Sequence, residues 1–262
     1  MSIVVTGGSG FLGRTLVPTL VRHGHSVVVI DRRPWPASSH VGDVTAITGE
    51  LSALSDPMRD ALGQAEAVVH LAGCPGVRDD APDVAFRRQR DNVDAARAVL
   101  EATPGPTPTV VLSSSSVYGG SAHPSTHRGA SHEDDPLRPQ GGYALSKVAT
   151  EEVCRQRSAA GGHALVVRPF TVVGEGQRPD MAVARWAHQA RIHGRVTVLG
   201  SADRTRDLTD VRDVARSILA LLHAERAGTV NLGTGRSRSL AELAEAVCAA
   251  VGVSAQHTVL PA

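Results

Sequence analysis

"TGGSGFLG", residues 6–13, is the stretch on which the fold turns. Gly7, Gly10 and Gly13 stand in a GxxGxxG spacing. The apolar run "SIVVTG" (2–7) precedes them, and "FLGRTLVPTLVRH" (11–23) follows with apolar residues near a 3.6 period, which predicts a helix with Pro18 an awkward member. Strand, glycine turn and helix in that order are the context in which a glycine motif cradles a pyrophosphate. Glycines let the backbone turn tightly and approach the phosphates, and the helix N-terminus offers N–H groups and a positive dipole end. Asp31 closes a second apolar run, "HSVVVID" (25–31), where a carboxylate binds both hydroxyls of a dinucleotide ribose. Asp43, in "GDV" (42–44), follows what reads as a third strand and is a candidate for adenine. Asp31 repels a 2′-phosphate and so favours NAD over NADP. Arg32 and Arg33 pull the other way, because a guanidinium there can receive the phosphate, although Arg32 can equally stay solvated and stack on adenine.

Outward from this motif the chain alternates short apolar runs with helical patterns. "AVVHLAG" (67–73), "TVVLSSSS" (109–116), "ALVVRPF" (164–170) and "GTVNLG" (228–233) read as strands. "DNVDAARAVLEA" (91–102), "YALSKVATEEVCRQRSA" (143–159) and "RDVARSILALLHAE" (212–225) read as helices. "SLAELAEAVCAAVG" (239–252) reads as a last helix, opened by Ser239 and Glu242 in capping-box spacing and closed at Gly252. Such alternation predicts an α/β fold, a doubly wound Rossmann parallel sheet. Residues 119–139, rich in Gly, Pro, His and Ser, are expected as a long loop at the C-terminal edge of the sheet.

The bulk composition excludes several classes. The 262 residues carry a net charge of +1, which argues for no nucleic acid and no membrane surface as a partner. No apolar stretch approaches the ~20 residues of a membrane span, and no secretory leader is visible. Cys74, Cys154 and Cys248 are too few and too scattered for a disulfide framework, which fits a cytoplasmic protein. No histidine stands in a metal-ligand spacing, so no metal is expected.

"YALSK" places Tyr143 and Lys147 four residues apart on one face of a helix. A free tyrosine, with a pKa near ~10, is a poor base at neutral pH. A neighbouring ammonium and a positive nicotinamide ring favour the phenolate, so Tyr143 can take a hydroxyl proton while the carbon below gives up hydride. Lys147 also suits the nicotinamide ribose.

Glycine loop, Asp31, "GDV", "HLAG", Asn92, a Ser-rich strand end with "VYG", YxxxK, "RPF" and "RDLTDV" follow one another in an order that resembles the extended short-chain dehydrogenase/reductase family of NAD-dependent sugar epimerases and dehydratases. The resemblance runs from Ile3 to about Val251. It implies that Leu71, Ala72 and Gly73 lie along the cofactor and that Asn92 supports their strand. The cofactor-binding set is completed by Phe11 and Leu12 in the loop, Val44 beside Asp43, and Phe170 in "RPF". Aligned on "VYG", the family's catalytic hydroxyl falls on Ser114. The next two positions, acids in dehydratases and the second a Glu in decarboxylases, are here Ser115 and Ser116. A serine is too weak for either task, so hydride removal and return at one carbon remains.

"RPFTVVGEGQRPDMA" (168–182) is similar to a segment of UDP-glucuronate 4-epimerases and related bacterial 4-epimerases. In that subgroup Ser115, Ser116 and Thr171 would cradle a hexose C6 carboxylate, with Arg178 the nearby cation. Arg206 resembles the residue that grips the nucleotide diphosphate, with an ion pair to a nearby Asp as the structural alternative. The implied activity is a nucleotide-sugar 4-epimerase of the UDP-glucuronate/UDP-glucose type, acting on a nucleotide-diphosphate sugar through a transient 4-keto sugar and tightly held NAD. The alternatives are an NAD(P)H-dependent deoxysugar 4-ketoreductase and, less in keeping with Ser114, Tyr143 and Lys147, a non-catalytic NAD-binding module. Family members commonly dimerise through two helices per chain, here 91–102 and the Tyr143 helix, so a homodimer is expected. They also commonly continue beyond the position of "HTVLPA" (257–262), so the C-terminal substrate region is expected to be truncated. The expected division is residues 1–168 with 205–235 for NAD, and 169–204 with 236–262 for substrate.

Overall fold

A computed structural model of the chain describes residues 2–36, 42–76, 81–120, 130–254 and 257–260. Residues 121–129 of the expected loop at 119–139 lie outside the described residues. The chain divides into two compact units, Met1–Pro169 with Arg212–Leu232, and Phe170–Val211 with Gly233–Ala262.

The first unit is built on seven strands: β1 (Ile3–Thr6), β2 (Val27–Asp31), β3 (Val44–Thr48), β4 (Ala67–His70), β5 (Thr109–Leu112), β6 (Leu165–Pro169) and β10 (Gly228–Leu232). All pair in parallel, in the order β10-β6-β5-β4-β1-β2-β3. Every residue of β1 and β4 is buried, as expected of strands covered on both faces. The connections run outward from β1 through β2 to β3, then return to β4 on the other side of β1. Ligands of open α/β sheets bind at such a reversal, outside the C-terminal strand ends. Val4, Ile30, Met58, Leu62, Val68 and Val99 form much of one core cluster.

Helix α1 (Gly13–Arg22) runs through Pro18 and buries Leu16, Val17 and Leu20. α2 (Asp56–Gly63) follows β3, α3 (Val84–Arg88) and α4 (Ala95–Ala102) follow β4, and α5 (Gly141–Ala159) precedes β6. The single helix expected over 91–102 is interrupted at its start, because Gln89–Asp94 forms a π-helical turn before α4. Such widened turns are frequent at functional sites, and this one carries Asn92.

In the second unit β9 (Thr205–Asp210) pairs in parallel with β7 (Thr171–Val173) and antiparallel with β11 (Ser237–Ser239), while β8 (Val196–Leu199) pairs with β12 (His257–Leu260). α6 (Ala182–His193) and α8 (Leu240–Ala250) pack Trp186, Ala190, Leu243 and Cys248 against Val198 of β8 in its core. Ser239 and Glu242 form the full capping box of α8. At its other end, Val253 N–H on Cys248 O and Gly252 N–H on Ala249 O make a Schellman closure, with Gly252 at φ +76°.

The expected division needs correction here. Residues 205–211 and 233–235, expected with the first unit, lie in the second. β9 takes its backbone partners from β7 and β11, and the buried Asp207 carboxylate accepts the N–H groups of Thr234 (3.0 Å) and Gly235 (2.7 Å). α7 (Val211–His223) leads back to β10.

Candidate active site

The glycine loop leaves β1 at the reversal point of the sheet. Gly7 has φ +73°, and a Cβ there would lie 2.6 Å from the Ala72 backbone nitrogen after β4. A Cβ on Gly13 would lie 2.3 Å from the Gly8 carbonyl oxygen. The loop and the first turn of α1 are therefore closed on each other by backbone, and only glycine fits. Gly10 turns the loop by donating its N–H to Gly7 O at 3.0 Å. Leu12 is buried and Phe11 half-buried. Asp31, at the end of β2, is nearly buried and accepts the N–H groups of Ser9 (3.0 Å) and Arg33 (2.9 Å). Its carboxylate is thus fixed against the loop. A backbone cradle that any Cβ would fill, with an anchored acid beside it, fits the diphosphate and ribose of a dinucleotide.

Asp43 and Val44 do not belong to this arrangement. β3 begins at Val44 and pairs Val27 with Val44 and Asp31 with Thr48. Asp43 therefore precedes the third strand, at the sheet edge opposite the glycine loop. Its carbonyl accepts Val27 N–H, and its carboxylate is bonded by the Ser26 hydroxyl. The residues that leave β3 at the glycine-loop edge are Gly49, Glu50 and Leu51, with Gly49 N–H on Asp31 O at 3.0 Å. The signal that finds them is the run "VTAIT" (44–48) followed directly by Gly-Glu. Arg32 stays exposed but is also paired: its Nη2 lies 2.8 Å from Asp91 Oδ2 and 3.7 Å from Glu50 Oε2.

Leu71, Ala72 and Gly73 follow β4, and Leu71 N–H continues the ladder to Thr6 O. Asn92 is buried, and its Oδ1 accepts Cys74 N–H at 2.7 Å while its Nδ2 donates to Ser146 Oγ at 2.8 Å. Thr150 of α5 donates to the Asn92 carbonyl at 3.0 Å. One asparagine in the π-helical turn thereby ties the β4 exit to α5. A Cβ on Gly73 would meet Asn92 Oδ1 at 2.6 Å and the Lys147 ammonium at 3.6 Å.

Lys147 is the only lysine in the chain. It is buried and donates to the Leu112 carbonyl at 2.9 Å. Burial pushes its pKa down to about 8. His70, at the end of β4, is buried and meets Thr6 Oγ1 at 2.7 Å. Burial first, and the Lys147 charge second, push its pKa down to about 3, so the imidazole is neutral.

Tyr143 lies in the first turn of α5 and its carbonyl accepts the Ser146 hydroxyl at 2.7 Å. α5 packs against a 3₁₀ turn, Ser115–Tyr118, that follows β5. Ser114 caps this turn, its Oγ accepting Ser116 N–H at 3.2 Å, and Gly119 ends it at φ +83°. Ser113 turns away: its hydroxyl donates to Glu151 Oε1 at 2.5 Å. The Ser116 hydroxyl oxygen is buried and has no hydrogen-bond partner among the described residues. The segment is held from below by a network the sequence does not announce. Arg168 pairs with Glu151 at 2.7 Å and donates to Tyr118 Oη at 2.7 Å, and Tyr118 donates to Asn231 Oδ1 at 2.8 Å.

The remaining candidates lie in the second unit. Thr171 begins β7, opposite Leu208, and Phe170 precedes it. Arg178 is engaged in a two-pronged pair with Asp180 (3.0 and 2.8 Å), and Arg206 donates to Thr205 O at 2.7 Å.

The chain is 30% identical over 255 residues to a protein of Bacillus subtilis described as an uncharacterized UDP-glucose epimerase, covering 92% of this chain and 79% of that one. It matches MoeE5 in complex with UDP-glucuronic acid and NAD at a TM-score of 0.86 and 34% identity, covering 100% of this chain and 86% of that one. It also matches the UDP-glucuronic acid 4-epimerase of Bacillus cereus in complex with UDP-glucuronic acid and NAD at a TM-score of 0.88 and 28% identity, covering 100% and 87%. The model of the NAD-dependent epimerase/dehydratase family matches residues 3–233, and the chain belongs to that family, an extended short-chain dehydrogenase/reductase with NAD as its cofactor.

Proposed function

We propose that the chain is a nucleotide-sugar 4-epimerase of the UDP-glucuronate/UDP-glucose type. The observation that carries this reading is the turn Ser114–Ser116 beside α5. It offers hydroxyls and no carboxylate where proton transfer at a second sugar carbon would need an acid, and one hydroxyl, Ser116, is buried without a partner among the described residues. The UDP-glucuronic acid and UDP-glucose named for the similar proteins are in keeping with it.

NAD held by Gly7–Gly13 and Asp31 supplies reversible hydride acceptance at a carbinol carbon. Tyr143 takes the O4 proton and later returns it, with Ser114 sharing a hydrogen bond to O4. Lys147, charged below about pH 8, favours the phenolate of Tyr143. Ser115, Ser116 and Thr171 are proposed to hold the C6 substituent through neutral donors, which suits a ring that must present both faces. Arg178 and Arg206 are proposed for the anionic parts of the substrate, and Leu71, Ala72, Gly73, Phe11, Leu12 and Phe170 for the cofactor. A homodimer through α4 and α5 is part of the same proposal; Phe86 and Leu145 are exposed apolar residues of α3 and α5.

The test is to incubate the protein with UDP-glucuronate and with UDP-glucose, adding no cofactor, and to follow the C4 proton by NMR. Conversion to the 4-epimer is expected. Reduction of a 4-keto sugar that requires added NADH or NADPH, with no epimer formed, overturns the reading in favour of a reductase.

A further inference from the structure

β2 ends in Asp31 and then two arginines, and the sequence leaves their bearing on the cofactor open. The structure separates them. Arg33 lies along the glycine loop, with Nη2 3.2 Å from Ser9 O. Arg32 is drawn instead to two carboxylates, Asp91 Oδ2 at 2.8 Å and Glu50 Oε2 at 3.7 Å. Asp91 is only 5% exposed, sits in the π-helical turn next to Asn92, and meets Arg90 Nε with its other oxygen at 2.6 Å. Burial works to raise its pKa, but the bonds from Arg90 and Arg32 outweigh it and leave the carboxylic acid below its ordinary range. Glu50 is half-exposed and leaves β3 at the edge where β2 ends.

We infer that Asp91 and Glu50 form a carboxylate clamp on Arg32 and are specificity-determining residues that select NAD against NADP. The inference rests on Gly7–Gly13 and Asp31 being the NAD site. A guanidinium beside a ribose acid is the group that would welcome a 2′-phosphate. To do so, Arg32 must leave a buried carboxylate that would be left with half its partners, which is costly. The phosphate would also meet three carboxylates, Asp31, Glu50 and Asp91, around the ends of β2 and β3. Discrimination thus has two parts, repulsion by Asp31 and restraint of Arg32, while Arg33, whose Nε lies 3.9 Å from Asp31 Oδ1, is common to the parent and every variant of the test.

The experiment measures NADH and NADPH binding by fluorescence titration of cofactor-depleted protein, for the parent, Glu50→Gln, Asp91→Asn, the double variant, and the double variant with Arg32→Ala. Expected are a strong preference for NADH in the parent and a gain in NADPH affinity of about tenfold in the double variant, with NADH affinity held within about threefold. Adding Arg32→Ala removes the gain. An unchanged NADPH affinity in a double variant that still binds NADH overturns the clamp, as does a gain that survives Arg32→Ala. Should Asp91→Asn unfold the turn, Glu50→Gln alone carries the test, with about a threefold gain expected and none overturning it. A parent that binds neither nucleotide overturns the NAD site itself, and the clamp with it.

Discussion

The glycine loop of the first unit and the strand β7 of the second are built by opposite means. Gly7–Gly13 is shaped by backbone meeting backbone, with Gly7 against Ala72 and Gly13 against Gly8. It hangs from a seven-stranded parallel sheet whose central strands are wholly buried. β7 is three residues long, half-buried throughout, and belongs to a three-stranded sheet. The contrast teaches where tolerance lies. A cradle made of backbone in a dense core admits almost no substitution, whereas side chains on short, partly exposed strands can change with the substrate at little cost to the fold.

Four experiments break or sharpen this comparison. The largest effect is expected at the chemistry: Tyr143→Phe should lower epimer formation by about a thousandfold, read by NMR, with bound cofactor unchanged in the absorbance spectrum. A variant with parental turnover would remove Tyr143 from its role. Next come the two ion pairs. Glu151→Ala leaves the buried Arg168 without its carboxylate and frees the Ser113 hydroxyl from its acceptor, and should cost about 3–5 kcal/mol in denaturant unfolding. Asp180→Ala removes an exposed pair with Arg178 and should cost less than about 0.5 kcal/mol. Equal costs would erase the distinction between the units.

The third experiment compares glycines. Gly13→Ala forces a methyl onto the Gly8 carbonyl and should cost about 2–3 kcal/mol. Gly176→Ala, at φ +78° with open space around it, should cost only about 1 kcal/mol of backbone preference. Thermal midpoints of the two variants are the readout. The smallest effect is a pH dependence. Lys147 has a folded pKa of about 8 against 10.5 when unfolded, so above pH 8 the unfolded chain binds more protons and stability rises with pH until 10.5. Between pH 8 and 9.5 the parent should gain on the order of 1 kcal/mol relative to Lys147→Met. Parallel pH profiles for the two proteins would mean that the ammonium is not penalised by burial.

Much of the first unit was legible because its signals are local. The GxxGxxG turn, Asp31 at the end of an apolar run, and the four-residue step from Tyr143 to Lys147 each depend on spacing within one or two elements. The Ser239–Glu242 capping box was legible for the same reason. Asp43 was misplaced because "GDV" and "TGEL" both offer a glycine followed by an acid, and only pairing of Val27 with Val44 decides which lies at the loop edge. The π-helical turn at Gln89–Asp94 was illegible because its sequence continues the helical pattern of α4, and the widened turn is set by what Asn92 must reach.

By itself, then, the sequence determined the parallel α/β architecture, the glycine turn after β1 and the placing of Tyr143 and Lys147 on one helix, since glycine conformational freedom, apolar periodicity and helix spacing act over a few residues. Only the tertiary structure decided which residues leave β3 toward the loop, that β9 belongs with β7 and β11, that Arg168, Glu151, Tyr118 and Asn231 form one network beneath the serine turn, and that Arg32 answers to Asp91 and Glu50. Those outcomes depend on strand register and on charges brought together from distant segments, and burial, which makes an unpaired charge costly, selects among the pairings the sequence leaves open.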